Sequence, residues 1–203
     1  MIRAFLAVEL SDDLRKQIAQ VQQDLKERLS RDLSKGVRIS WVQPASIHLT
    51  IKFLGETDES LIEAMRTALE QAVRDHRTVL VPLDRLGVFP RLQQARVLWI
   101  GASEAWERGE DAGRLAALHQ AVEICCHSLG FAPEGRPLSP HLTLARIKEG
   151  ERHVGQALAN SGVLDRPVSL GSFTVGSLAL MKSELRPAGP VYTKLWDVGV
   201  SGQ

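Results

Sequence analysis

"HLTIKFLG" spans His48–Gly55, and "HLTLARIK" spans His141–Lys148. Each sits in an apolar, strand-like run. Side chains alternate across a strand, so His48 and Thr50 share one face while Leu49 and Ile51 share the other. His141 and Thr143 stand in the same relation to Leu142 and Leu144. Each repeat therefore presents an imidazole and a hydroxyl about 7 Å apart along the strand, over an apolar back. If the two strands lie side by side, two histidines and two threonines converge on one cleft.

Outward from the repeats, the pattern is strand, helix, strand, HLT strand, helix, and a similar order recurs later. Ile2–Leu10 suits a buried strand. Ser11 is a credible N-cap, with Asp12 and Asp13 in the first turn. Leu14, Ile18, Val21, Leu25 and Leu29 then mark an amphipathic helix. Val37, Ile39 and Trp41 alternate with polar residues in a strand that Pro44 ends. Leu61, Met65, Leu69 and Val73 form a second helical stripe. Val79–Leu83 and Arg96–Ile100 read as strands around a loop at Gly87–Pro90. Leu115, Leu118, Val122, Cys125 and Leu129 make a third stripe, closed by Gly130. A short helix near Arg152–Ala159 precedes strands near Val168–Lys182 and Val191–Val198. Ser30–Gly36 is the most loop-like early segment, and Ser103–Gly113 is the flexible one.

These elements predict an α+β fold: a bilobal duplicated unit with two mainly antiparallel sheets facing a central cleft and helices packed outside. No linker separates the halves, so residues 1–203 are expected to form a single domain of two pseudo-symmetric lobes. At 203 residues, with 44% hydrophobic and 24% charged, the chain has an ordinary globular composition. No run of about 18 apolar residues suggests a membrane span. The opening MIRAFLAVELSDD lacks the basic start and cleavage site of a signal peptide and reads as the first strand of a cytoplasmic protein. A net charge of +1 argues against tracking long nucleic acid through a broad basic surface, but not against meeting one phosphate. Cys125 and Cys126, adjacent in a helix, diverge by about 100° and read as reduced core thiols.

The paired His-x-Thr units fit one kind of chemistry. Imidazole titrates nearest neutrality, so one ring can accept a proton while another donates one. In-line cleavage of a phosphodiester needs a base on the attacking side and an acid on the leaving side, and threonine hydroxyls can hold the phosphoryl oxygens. A lone strand histidine is more often a satisfied structural residue, but the duplication disfavours that reading here. Zinc binding is disfavoured too, since no cysteine or carboxylate stands at ligand spacing beside either histidine. His76, His119, His127 and His153 read as surface or packing residues.

At these residues the sequence resembles the two-histidine phosphoesterase superfamily, and within it the RNA 2′,3′-cyclic phosphodiesterases once called 2′-5′ RNA ligases. RAFLAVEL, HLTIKFLG, LGVFP, RVLWIG, PHLTLARIK, GSFTV and SELRPAGPVYTKL carry the likeness over nearly the whole chain. The stretch around Ser30–Ile39 looks slightly long for the pattern. The resemblance implies metal-independent hydrolysis of an RNA-terminal or nucleoside 2′,3′-cyclic phosphate to a 2′-phosphate, with no cofactor. Reversible 2′-5′ ligation at the same site and a non-catalytic RNA-end binder are the alternatives. By analogy His48 is the general acid for O3′, His141 is the base activating water, and Thr50 and Thr143 hold phosphate oxygens. The implied partners are RNA ends or nucleotides bearing the cyclic phosphate, met by a monomer away from any membrane.

Phe53 and Arg146 each stand five residues after their histidine. The resemblance gives Arg146 a role near phosphate and Phe53 one against the nucleoside, where stacking tolerates any base. Strand alternation opposes this, because an offset of five puts both on the face away from the histidine. Either each strand twists or ends there, or Phe53 is core and Arg146 pairs a surface acid. Ser183, Glu184 and Tyr192 also match the closing motif, with no role derivable from the residues.

Overall fold

The computed structural model describes residues 1–31, 33, 36–187, 189–200 and 202. Within the loop read at Ser30–Gly36, positions 32, 34 and 35 lie outside the described residues. The strands are β1 (Ile2–Val8), β2 (Arg38–Trp41), β3 (Leu49–Thr57), β4 (Val79–Pro82), β5 (Arg85–Phe89), β6 (Val97–Gly101), β7 (His141–Glu149), β8 (Ser172–Val175), β9 (Ser177–Arg186) and β10 (Gly189–Gly199). The helices are α1 (Asp12–Ser30), α2 (Ile62–Val73), α3 (Glu104–Glu107), α4 (Glu110–Ser128) and α5 (Glu151–Ser161). None among the described residues is long and apolar enough to cross a membrane.

The α+β class and the antiparallel pairing agree with the expectation. The two expected sheets are two four-stranded halves, β10-β9-β1-β3 and β7-β6-β5 with β2 on the outer side of β7. They are continuous through one residue pair, Leu49 with Leu142. A separate two-stranded sheet joins β4 to β8. Helices pack behind, α1 and α5 toward β7, and α2 and α4 toward β10 and β3.

Alternation explains the two faces of β1. Ala4, Leu6 and Val8 enter the main core against the helices, while Phe5 and Ala7 join Ala179 and Met181 in a smaller cluster on the opposite face. The Ser11 hydroxyl caps α1 by accepting from the Leu14 amide at 3.3 Å. Val21 is only partly buried and Gln22 replaces it on the inner stripe. The segment read as flexible at Ser103–Gly113 contains α3 instead. Arg85 holds Glu104 at 3.2 Å and Glu107 at 2.9 Å, and the Trp106 indole donates to the Leu80 carbonyl at 3.0 Å. Likewise Gly87–Phe89 is the end of β5 rather than a loop, paired along β6. Cys125 and Cys126 are free and buried, and burial pushes the Cys126 thiol up to about 12.

Both HLT strands carry a bulge one residue after the threonine. In β3, Thr50 pairs with Ala7 and Lys52 with Leu6, leaving Ile51 as the extra residue. In β7, Thr143 pairs with Trp99 and Ala145 with Leu98, leaving Leu144 extra. Buried polar side chains lie behind both strands at these irregularities. The Gln22 amide of α1 donates to the Leu144 and Val42 carbonyls, both at 2.8 Å. Behind β3, the fully buried Lys52 meets Glu123 of α4 at 2.7 Å and donates to the Ala132 carbonyl at 3.0 Å. Glu123 also accepts from the Glu134 amide at 3.0 Å, and the Glu134 carboxylate accepts from the Phe53 amide at 3.0 Å. Burial works to raise the Glu123 carboxyl, but Lys52 and the Glu134 amide outweigh it and hold it below the usual range.

Breaking a buried ion pair from one side leaves the other charge uncompensated, a loss of about 3–5 kcal/mol. Lys52→Met should therefore destabilise by that amount in urea unfolding. The double variant Lys52→Met/Glu123→Leu should recover more than half of the loss. Equal losses in the single and double variants would show that the charge pair is not what makes Lys52 important.

Candidate active site

The halves of the sheet meet where the two HLT units sit. Leu49 and Leu142, 1% and 0% exposed, anchor the junction in the core. His48, Thr50, His141 and Thr143 are half-buried on the opposite face and line one cavity of about 500 Å³. Phe53 and Arg146 line it too. The structure thus brings together all six residues singled out in the sequence.

The bulges resolve the parity conflict. An extra residue after Thr50 and after Thr143 shifts each strand by one, which returns the fifth residue beyond the histidine to the histidine's face. Phe53 is accordingly 64% exposed rather than core. Arg146 is exposed and makes no ion pair among the described residues, so it does not pair a surface acid.

Both imidazoles are oriented alike. His48 Nδ1 lies 2.8 Å from the Ser46 carbonyl, and His141 Nδ1 lies 2.7 Å from the Ser139 carbonyl. A carbonyl only accepts, so Nδ1 must carry the proton in each neutral ring. Nε2 then holds the lone pair. The sequence contains a trace of this, since serine stands two residues before each histidine in SIHLT and SPHLT. The contact uses the backbone, however, so side-chain identity does not require it.

Two aromatic rings pack against each histidine. Phe5 stacks on His48 with centroids 4.8 Å apart, and Tyr192 meets it edge-on at 5.2 Å. Phe89 meets His141 edge-on at 4.9 Å, and Trp99 lies 6.3 Å away. Phe89 also stacks on Trp99 at 5.1 Å. Gly87 pairs with Trp99, and a Cβ on Gly87 would come 2.1 Å from the indole. That close approach accounts for the glycine in LGVFP. Sequence reasoning missed these rings because they come from strands distant in the chain. Of the closing motif, Ser183 and Tyr192 line the cavity, while Glu184 pairs with Lys182 and Arg186 and does not.

Burial among these rings lowers both histidine pKa values below 6.5, against the raising effect of the Ser46 and Ser139 carbonyls. The Arg146 charge lowers both further, and Arg15 adds to the effect on His48. The cleft therefore holds two imidazoles biased toward the neutral form, an electropositive arginine and two hydroxyls. Such a set can move protons on both sides of a bound phosphate. Among the described residues, no group of three or more His, Cys, Asp or Glu side chains could hold a metal ion.

Comparison with known proteins agrees with this geometry. The family model described as the 2′-5′ RNA ligase superfamily matches residues 10–187. The chain is 31% identical to an RNA 2′,3′-cyclic phosphodiesterase of Methanothermobacter thermautotrophicus, over 96% of both chains. It is 36% identical to one of Aeropyrum pernix, over 80% of this chain and 87% of that one. Among solved structures, TT0787 of Thermus thermophilus aligns over 100% of both chains with a TM-score of 0.73 and 27% identity. Escherichia coli LigT, solved with 3′-AMP, shares the fold over 98% of both chains with a TM-score of 0.71 and 24% identity.

Both histidines should titrate below 6.5 when followed by NMR of the ring protons. Replacing Arg146 with methionine removes a cation that disfavours imidazolium, so both midpoints should move up. Midpoints that stay put would show that the guanidinium is too well screened to act on the pair.

Proposed function

Since this chain belongs to the 2′-5′ RNA ligase superfamily, we propose that it is an RNA 2′,3′-cyclic 3′-phosphodiesterase, hydrolysing RNA-terminal or nucleoside cyclic phosphate to a 2′-phosphate without a metal. The observation that carries the reading is the pair of identically oriented imidazoles, each with a hydroxyl two residues on, lining one cavity with Arg146.

In this reaction His141 Nε2 takes a proton from water as the oxygen attacks phosphorus. The P–O3′ bond breaks on the far side, and His48 gives its proton to O3′. The product is a 2′-phosphomonoester with a free 3′-hydroxyl. One proton then passes through solvent from His141 to His48, which resets the pair. Thr50, Thr143 and Arg146 hold the non-bridging oxygens as charge shifts among them. Phe53 offers a face for the terminal base. All six side chains come from one two-lobed unit, and the protein is proposed to act as a monomer. The expected setting is the cytoplasm, on RNA ends or nucleotides.

Replacing either histidine with alanine should lower kcat by about 10²–10⁴, the usual worth of a positioned acid or base. Both variants should remain folded, and EDTA should leave the wild type unaffected. Chromatography should find only the 2′-phosphate product. With bis(p-nitrophenyl) phosphate, whose leaving group needs no proton, His48→Ala should lose less than His141→Ala. The reverse order would exchange the two roles, and near-wild-type turnover by both variants would remove the histidines from the chemistry.

A further inference from the structure

The cleft carries more positive charge than one phosphate uses. Arg3, Arg146 and Lys148 line it, and among the described residues no aspartate or glutamate does. This is a local feature, because the whole chain has 25 basic residues against 24 acidic ones. Exposed cations nearby are neutralised, as in Arg38–Glu149 at 2.8 Å, Lys182–Glu184 at 3.4 Å and Lys194–Glu9 at 2.8 Å. The three cleft cations make no ion pair among the described residues.

Arg146 is accounted for, since its charge reaches both imidazoles. Arg3 is not. It shares the cleft face of β1 with Phe5 and Ala7, and Phe5 pairs with Phe53 while Ala7 pairs with Thr50. Thus Arg3 lies about 7 Å along the strand beyond the Phe5–Phe53 pair, on the side away from His48. Glu56 stands opposite it in register but neither pairs with it nor lines the cavity. Arg3 still belongs to the same electrostatic neighbourhood: Tyr192, raised by burial, is pulled down by Arg146 and also by Arg3. Along one wall the order is therefore Thr50, the exposed Phe53 ring and then an unpaired guanidinium.

An aromatic platform followed by a cation suits one nucleotide of a single strand, the base on the ring and the adjoining phosphate on the charge. Guanidinium also matches phosphate geometry through paired N–H donors. We infer that Arg3 forms a second phosphate subsite, holding the phosphodiester one nucleotide upstream of the cyclic phosphate while the terminal base lies on Phe53. The inference rests on the proposed function for the position of the cyclic phosphate. It makes the preferred ligand a polynucleotide end, read without regard to base, and leaves a nucleoside cyclic phosphate unable to use Arg3.

The test compares kcat/KM on a trinucleotide ending in 2′,3′-cyclic phosphate with that on a nucleoside 2′,3′-cyclic phosphate. Wild type, Arg3→Gln and Lys148→Gln are measured across a salt series. The wild type should favour the trinucleotide by about tenfold or more at low salt. Arg3→Gln should remove most of that preference and flatten the log–log salt slope by about 0.7, the value for one phosphate of a single strand. Lys148→Gln should leave the preference within about twofold. Equal kcat/KM for the two substrates in the wild type would overturn the subsite, as would a preference that depends on Lys148 and not on Arg3. Failure to turn over either substrate would instead sink the proposed function. Fluorescence anisotropy with a 2′-phosphorylated trinucleotide against a nucleoside 2′-phosphate then decides the subsite with the same variants and the same criteria.

Discussion

The site depends on the single pair through which the two halves of the sheet touch. Leu49 and Leu142 are the only residues of β3 and β7 in register with each other, and both are sealed into the core. Antiparallel pairing at one point imposes a local twofold relation. It brings residues 48 and 50 alongside 143 and 141, all on the face away from the leucines. Beyond the pair, β3 and β7 leave in opposite directions and take different neighbours, β1 for one and β6 with β2 for the other. A longer ladder would have joined the halves into a flatter surface. The leucine of each HLT unit is thus as necessary as its histidine, because it fixes the place from which both imidazoles project.

A second constraint follows from the first. A strand that buries one face cannot also show residues 48, 50 and 53 to the same cleft unless it slips by one. The bulges supply that slip, and local backbone groups then need partners outside the regular ladder. The two repeats solve this differently. Behind β7 a neutral amide, Gln22, meets the Leu144 carbonyl directly. Behind β3 a lysine–glutamate pair holds the 132–134 backbone, and Glu134 in turn caps the Phe53 amide. Placing a lysine wholly in the core is costly unless its partners are close and complete. Here they are, and the same contacts lay the segment leading to His141 along the strand that follows His48. The structural pair and the position of the chemistry are therefore linked.

How much of this was legible in the sequence can be argued residue by residue. The HLT duplication was legible because His and Thr at an offset of two share a face in any strand, whatever its neighbours. The slip in β7 was legible in principle. Leu142 and Leu144 keep one phase while Ala145 and Ile147 keep the other, so the alternation visibly shifts between Leu144 and Ala145. In β3 the same shift is hidden, because the buried residue after Ile51 is a lysine, which alternation assigns to solvent. Gln22 misled the α1 stripe for the same reason. The rings around the histidines were illegible, since Phe5, Phe89, Trp99 and Tyr192 reach them from strands whose order no local pattern encodes. α3 was read as flexible because its stabilisation comes from Arg85, far back in the chain, rather than from its own turn.

The aromatic contacts also bias both imidazoles of the cleft toward the neutral form. The rings packed against each imidazole displace water that would stabilise a cation, and Arg146 adds a positive field across the cavity. Each neutral ring then keeps its lone pair on Nε2, beside the cavity proposed to take the phosphate. For catalysis that would be half wrong, since one ring must carry a proton. In the proposed reaction the missing proton is taken up from solvent when the substrate binds. A phosphodiester anion offsets the Arg146 field and favours imidazolium nearby, so binding raises the proton affinity of the pair. Because Nδ1 of each ring is committed to a carbonyl, the incoming proton can settle only at Nε2. In the proposed reaction the same two contacts that fix the ring of the base also aim the proton of the acid.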